Sequence, residues 1–459
     1  MGLNKVLRIN NDSELLSYII NVTPELATEI DLPVQGESIA PIGKIIMNNE
    51  RYKNAFLNTV NVIGLTIIKR NYWENPWENF TDRGMLRLGQ QIREMIVDIA
   101  QVFDYNEYAN DPDHFLENVV PDVYNYIHEV NYQKFYKTTT SDEQMAMAFE
   151  SEGGLFDLIE KIIGSLYEGY KYDKYIVDKY ILCKRIVDGT ITSVKINDYA
   201  SLTPRERVAR LKNVSNMMTF RSPKYNPAGV RTATSFDRQI AIINTDFEAD
   251  LSTDVLATSF FRNDAEMRSR MALVDGFGTH DTERLEELLG DAYEEFSADE
   301  LTALAKVPAV IISDGFFMDY KYALDTNSGL KQTEFYNPET LKRNHWLHVW
   351  AVISTSPFEN AVVFTPDTPA VTDIDVSPEE ATLVAGQSLK LSAEVTTTGF
   401  ANKAVTWSVD STSATAGVTI DIHGVLKTPS TLTSESVITV SATSVYDTTV
   451  TGTATITIV

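Results

Sequence analysis

The chain of 459 residues holds a single cysteine, Cys183. An internal disulfide is therefore excluded, a Cys-built metal or redox centre would need partners that do not exist, and folding in a reducing cytosol is expected. Basic residues are also scarce: 39 Lys and Arg stand against 64 Asp and Glu, a formal charge of −25. That balance opposes electrostatic capture by nucleic acid or by an anionic membrane. No window reaches the roughly 18 to 20 uninterrupted apolar residues of a membrane span. The run from Ile159 to Leu166 contains Lys161 and has charges on both sides. Residues Met1 to Leu7 meet Asn10 to Glu14 before a long apolar run can form, so no secretory signal is expected.

Recognisable catalytic apparatus is missing too. Gly36 to Gly43-Lys44 has six residues between its glycines and Ile45 after the lysine, whereas a phosphate-binding Walker loop needs four and then Ser or Thr. HExxH and GxSxG do not occur. The histidines at 114, 128, 280, 345, 348 and 423 are scattered, and only His345-x-x-His348 has a spacing a metal could use on a helix. A strand is expected there, which sends the two rings to opposite faces and makes them packing residues. Asp246-Phe247-Glu248-Ala249-Asp250 with Asp254 resembles the first half of a calcium loop, but Leu251 and Ala257 stand where glycine and glutamate belong. Acid pairs that could serve a glycosidase arise by chance among 64 carboxylates. No catalytic residue, cofactor or metal is assigned.

What is present is a substantial core, 43% hydrophobic and 10% aromatic, in a length that suggests two or three domains. Composition changes after Phe364, where the prolines of Thr365-Pro366-Asp367-Thr368-Pro369 favour an extended connector. Beyond it about a third of residues are Ser or Thr, and short alternating runs appear at Ile374–Val376, Leu389–Leu391, Val405–Trp407, Val437–Val440 and Ala454–Ile458. These predict a β-sandwich.

Residues 62–72, 92–103 and 124–137 read as long strands, the last with Tyr124, Tyr126, His128, Val130 and Tyr132 on one face. Between the first two lies Trp73-Glu74-Asn75-Pro76-Trp77-Glu78-Asn79-Phe80. A protruding β arm of this kind cannot bury both its faces, so Trp73, Trp77, Phe80, Tyr124 and Tyr126 are candidate subunit-interface residues; covering an internal core is the alternative. A helical section follows, opened by the capping box Ser141-x-x-Gln144, interrupted at Gly153-Gly154, and continued through Leu155 to Leu166 and a Tyr-rich segment in which Cys183 is a small core residue.

After Lys195 the pattern is mixed. Thr203-Pro204-Arg205-Glu206 opens a helix with an N-cap, proline at the first position and glutamate at the third. Its Arg205, Arg207 and Arg210 could contact an acidic neighbour or form a solvated face. A strand at 238–244, a helix at about 252–261, a strand at 272–274, and apolar runs at 309–312 and 346–353 suggest an α/β core, with 282–306 as an acidic helical pair capped at Ser297-x-x-Glu300.

Two resemblances organise these pieces. Ile374-x-Val376-x-Pro378, Gly386, Val405-Thr406-Trp407-Ser408 and Gly424-Val425-Leu426 resemble the bacterial group-two immunoglobulin-like domain over 371–459, with Trp407 implied as a core residue. Ile63-Gly64-Leu65, Leu88-Gly89-Gln90-Gln91-Ile92, Phe135-Tyr136, Asp246-x-Glu248-Ala249, Val274-Asp275-Gly276-Phe277, His348-Val349-Trp350 and Phe358-x-Asn360-Ala361-Val362 resemble tailed-phage major capsid proteins of the Johnson fold, most closely those of short-tailed Salas-type podoviruses.

That resemblance implies an α+β fold with a C-terminal all-β sandwich: an N-terminal arm at 1–63, an extended β loop at 64–140, peripheral and axial domains with a spine helix at 141–364, a linker at 365–370 and the immunoglobulin-like domain at 371–459. It implies a virion protein, made in the bacterial cytoplasm, that self-assembles through hexameric and pentameric capsomers into an icosahedral or prolate shell; no lysine pairs with an asparagine to support covalent cross-linking, so noncovalent assembly is expected. Scaffold and portal proteins are the implied partners, and packaged double-stranded DNA is enclosed without sequence-specific binding. Residues 282–306 look like an insertion relative to the family pattern. The alternative function is a surface-binding protein whose terminal module grips host cell-surface glycans, which leaves the β arm unexplained.

Overall fold

The computed structural model describes residues 12–28, 30–32, 39–56, 73–100, 123–150, 154, 158, 164–249, 270–324, 329–421, 423–432 and 435–459. The expected strand at 62–72, the Gly153-Gly154 interruption in its first residue and the helix at 252–261 lie outside them.

The described residues begin with α1 (Asp12–Val22), α2 (Pro24–Ala27), α3 (Ala40–Met47) and α4 (Glu78–Thr81). Then come β1 (Asp82–Leu86), β2 (Ile92–Val97), β3 (Val123–His128), β4 (Tyr132–Ser141), α5 (Asp142–Glu150) and the 23-residue α6 (Ser165–Val187). Next are β5 (Thr192–Lys195), α7 (Pro204–Met218), β6 (Gln239–Asn244), α8 (Thr245–Ala249), β7 (Met271–Val274), α9 (Thr282–Leu289) and α10 (Ala298–Ala305). Strands β8 (Ala309–Ser313), β9 (Asp319–Tyr322), β10 (Leu330–Asn337), β11 (Lys342–Val352) and β12 (Ala361–Thr365) follow. The C-terminal module holds β13 (Ala370–Ser377), β14 (Glu380–Leu383), β15 (Ser388–Lys390), β16 (Ser392–Thr398), β17 (Val405–Val409), α11 (Ser411–Thr415), β18 (Thr419–Ile420), β19 (Val425–Lys427), β20 (Val437–Ser444) and β21 (Thr451–Ile458). The chain is thus α+β.

Contacts divide it into two compact units. The first comprises Met1–Ile92, His128–Ile176 and Asp319–Ile353. Its sheet runs β1-β9-β11-β10, with β4 antiparallel to β11 from Lys342↔Ser141 to Ala351↔Tyr132. Alternation along β11 buries Arg343, His345, Leu347 and Val349 and turns Trp346, His348 and Trp350 to the other face. A helical cluster forms a core of its own: Leu15, Leu16, Ile19 and Ile20 pack with Ile46, Phe56, Met145 and Phe149. The Ser141 box that starts α5 closes as expected, Gln144 N donating to Ser141 Oγ and Ser141 N to Gln144 Oε1.

The second unit comprises Arg93–Ile127, Val177–Met318 and Ser354–Val459. Its central sheet has the order β5-β12-β8-β6-β7. Every residue of β6, β8 and β12 is buried, because both sheet faces are covered, and the strands are accordingly almost continuously apolar. Helix α7 lays Val208, Leu211, Val214 and Met218 against Ile243, Ile311 and Phe364. Its Thr203–Glu206 capping box is closed in both directions. Cys183 is fully buried, its Sγ 3.4 Å from the Phe277 carbonyl, and burial pushes the thiol up to about 12, so it is a packing residue.

In the module, β13-β16, β14-β21-β20-β17 and β15-β19-β18 enclose one apolar cluster that includes Ile374, Leu391, Leu426, Val440 and Ile456. Trp407 packs half-buried against it. Gly424 takes φ +77°, and a Cβ there would stand 3.1 Å from the Trp407 ring, so the turn needs glycine twice over.

Two sequence expectations are corrected. The single strand at 124–137 is two: the chain leaves the sheet at residues 129–131, where Asn131 exchanges hydrogen bonds with the Ile353 backbone. His128 and Tyr132 are buried while Tyr126 and Val130 are exposed, so the five do not form one face. The strand at 92–103 stops at Val97, since the Asp98 carboxylate accepts from the Ile99 amide and competes with a ladder.

Candidate assembly surface

The segment Trp73–Phe80 folds back on its own unit. Trp77 N donates to Asn75 Oδ1 at 2.9 Å, a local turn that drives the indole inward. Trp77 has no exposed surface, and its ring meets Tyr175 edge-on at 5.3 Å and Phe80 at 5.9 Å. The expectation that Trp77 is a subunit-interface residue is therefore corrected, because an indole spent on the internal core has nothing left to offer a neighbour. Trp73 also approaches Tyr175, at 5.6 Å, but stays 45% exposed.

Below these rings a buried ionic group fixes β1. Lys174 Nζ donates to Thr81 Oγ1 at 2.7 Å and pairs with Asp319 at 3.2 Å, while Lys321 pairs with Asp82 at 2.5 Å. Burial alone would raise the Asp82 carboxyl. The charge and hydrogen bond of Lys321, helped by the Gly84 amide and Lys174, outweigh it and hold the group below the usual carboxylate range. Tyr322 Oη donates to the Gln90 carbonyl at 2.6 Å and clamps the turn after β1, where Gly89 takes φ +86°.

After this turn comes β2, which among the described residues pairs with β3 alone. Along the ribbon Met95 (58%), Val97 (56%) and Val123 (53%) are open to solvent, as are Ile99, Tyr126 and Ile127, while Tyr124 is half-buried. A two-stranded ribbon with so much exposed apolar surface is marginal by itself and gains stability from a second surface. Alternation at 92–99 was the signal for this surface, whereas the aromatic loop before it gives up Trp77 to the internal core.

A second surface was not anticipated. The register of the first sheet sets Phe135 beside His348, Lys137 beside Trp346, and Phe335 beside Asn344 on one face, with Trp350 beyond. Phe135 and Phe335 are more than half exposed, Lys137 Nζ lies 5.6 Å from the Trp346 ring, and His348 Nε2 is 3.0 Å from Thr333 Oγ1. Only pairing over about 200 residues of sequence creates this patch, so no local pattern could reveal it.

Arg205 and Arg210 are exposed on α7, whereas Arg207 is engaged: its Nε donates to the Tyr199 carbonyl and its guanidinium lies 4.4 Å from that ring. His345 and His348 do point to opposite faces. His345 is buried against Thr140, and burial together with Arg343 lowers it to about 4. Among the described residues no group of three His, Cys, Asp or Glu could hold a metal ion. No helix of the described residues is long and apolar enough to cross a membrane.

Sequence comparison points to one family. The family model described as Phi29-like phage major capsid protein matches residues 20–365. The major capsid protein of Bacillus phage PZA is 29% identical over 392 residues, 84% of this chain and 80% of that one. That of Bacillus phage B103 is 29% identical over 428 residues, 92% and 87% of the two chains. Among solved structures, the capsid structure of Staphylococcus phage Andhra aligns with a TM-score of 0.48 at 14% identity, covering 64% of this chain and 85% of that one.

Proposed function

The chain belongs to the Phi29-like phage major capsid protein family, and from that premise we propose that its β2–β3 ribbon is the extension by which each subunit of the head shell grips the next. The protein is a structural component of the virion, not an enzyme, and it forms the shell of a bacteriophage head. The observation that carries the reading is the ribbon itself: Met95, Val97, Val123 and Tyr126 are exposed residues on two strands that, among the described residues, have no other strand beside them. Obligate interfaces resemble a core cut in half, and a shell subunit keeps such half-cores open until its neighbours arrive.

On this reading residues 64–140 are the extended loop, 141–364 the peripheral and axial domains with α6 as spine, and 371–459 a group-two immunoglobulin-like module joined through 365–370. Trp73, Phe80, Tyr124, Tyr126, Arg205 and Arg210 belong to contacts between copies, and the capsomers are hexameric and pentameric, held noncovalently. Scaffold and portal proteins join the assembly of a short-tailed, Salas-type particle. The charge of −25 suits a shell that encloses double-stranded DNA without holding it. Electron microscopy of the purified protein, alone and with scaffold, tests the ribbon. Wild-type chain forms closed shells, tubes or rings, while Met95→Asp/Val97→Asp stays a folded, dispersed subunit; shells of normal yield from that variant would overturn the assignment.

A further inference from the structure

We infer that the end of α6 and the acidic segment 282–306 together form a built seat for the C-terminal module, which holds it as a fixed part of the subunit rather than a tethered domain. The segment is itself firmly placed. Tyr180 on α6 donates its hydroxyl to the Glu294 carbonyl and accepts from the Glu294 amide, each at 3.0 Å. Its ring stacks with Tyr293 at 5.4 Å and Phe296 at 5.5 Å, and Lys184 pairs with Glu294 at 2.5 Å. On the other side α10 presses so closely on Gly278 that a Cβ there would lie 2.6 Å from the Leu301 carbonyl oxygen.

The module enters this arrangement with one loop, residues 399–404. Glu300 is used twice: one carboxylate oxygen accepts from the Ser297 amide and closes the α10 capping box, and the other accepts from Lys403 Nζ at 3.1 Å. Lys403 N donates to the Asp188 carbonyl at the end of α6, at 3.3 Å. Next to it Gly189, with φ +66°, lets backbone meet backbone: a Cβ would stand 2.2 Å from the Ala401 carbonyl oxygen and 2.5 Å from Asn402 Cα. Ala401 is completely buried. The connector is pinned as well, by Lys306 on Asp367 at 3.0 Å and by Thr398 Oγ1 donating to the Thr368 carbonyl at 3.0 Å. A tethered domain would need none of these contacts, whereas they converge here on one loop and one connector.

The test is hydrogen exchange measured by mass spectrometry on the full chain, and it does not depend on the capsid reading. Gly189→Ala is compared with Gly229→Ala, because both glycines have φ +66° and only Gly189 faces the module. The backbone penalty is therefore matched. Gly189→Ala is expected to raise exchange across 399–404 at least tenfold while β20 and β21 stay protected, and Gly229→Ala to leave that loop unchanged. Equal exchange in both variants would overturn the seat. Should Gly189→Ala fail to fold, Glu300→Gln and Lys403→Met decide, since glutamine retains the capping box. Each is expected to raise exchange of the loop up to about fivefold, the range of a part-exposed ion pair. The double variant should add nothing further; additive effects, or none, would overturn the seat.

Discussion

Asp82 and Asp319 stand opposite each other across the parallel pair β1–β9, and each carboxylate is met by its own lysine, Lys321 at 2.5 Å and Lys174 at 3.2 Å. Alone, two carboxylates in that register would repel in a buried setting. With two lysines the group anchors β1 against β9.

Lys174→Met should therefore destabilise the subunit by about 3–5 kcal/mol, because it removes the cation that faces the buried Asp319 carboxylate. Adding Asp319→Leu should recover most of the loss. Urea unfolding of the dispersed subunit reads both, and equal midpoints for the single and double variants would contradict the pairing.

Acid should weaken the fold in a defined window. Burial and Arg343 hold His345 neutral down to about 4, and burial with Lys179 does the same for His280, against an ordinary value of 6.5. Both groups take up a proton more readily unfolded than folded, so their contribution is complete above 6.5 and is lost as pH falls toward 4. Asp82, held below its ordinary 3.8, adds a further loss at lower pH. The urea midpoint should fall between pH 7 and 4.5, and His345→Gln should flatten that slope; an unchanged slope would remove His345 from the account.

The two tryptophans of one loop should behave differently. Trp77→Ala removes a fully buried indole and should cost about 3–5 kcal/mol in the isolated subunit. Trp73→Ala should cost about 1 kcal/mol or less there, since half its surface is already wet, and should show its effect in shell yield instead. Thermal melts of subunits beside sedimentation of assembled particles separate the two.

The aromatic sheet face offers a similar contrast. Phe135→Ser/Phe335→Ser should shift subunit stability by no more than about 0.5 kcal/mol, as exposed substitutions do. Particle yield at limiting protein concentration should drop. A large loss in the subunit itself would mean that this face is covered within the chain.

The helix starts at Ser141, Thr203 and Ser297 were legible because a cap is a contract among four consecutive residues. The terminal strands were legible through their period of two, and Cys183 through its apolar helical neighbours. Trp77 was misplaced because its burial depends on Tyr175, a hundred residues away, and the 124–137 strand was overextended because its break is made by Asn131 bonding to Ile353. Lys174 and Asp319 carried no mark of their own as anchors.

The sequence by itself determined the composition class, the absence of an internal disulfide and of a Walker motif, the helix starts, the all-β tail and the resemblance to phage major capsid proteins that the family match over residues 20–365 then bore out. Those properties are local or cumulative along the chain. Only the tertiary structure decided which aromatics are consumed inside and which stay open, which lysine answers which buried carboxylate, and where Lys403 finds Glu300, because each of these is a meeting of residues that the chain keeps about a hundred or more positions apart and that packing alone brings within a few ångströms.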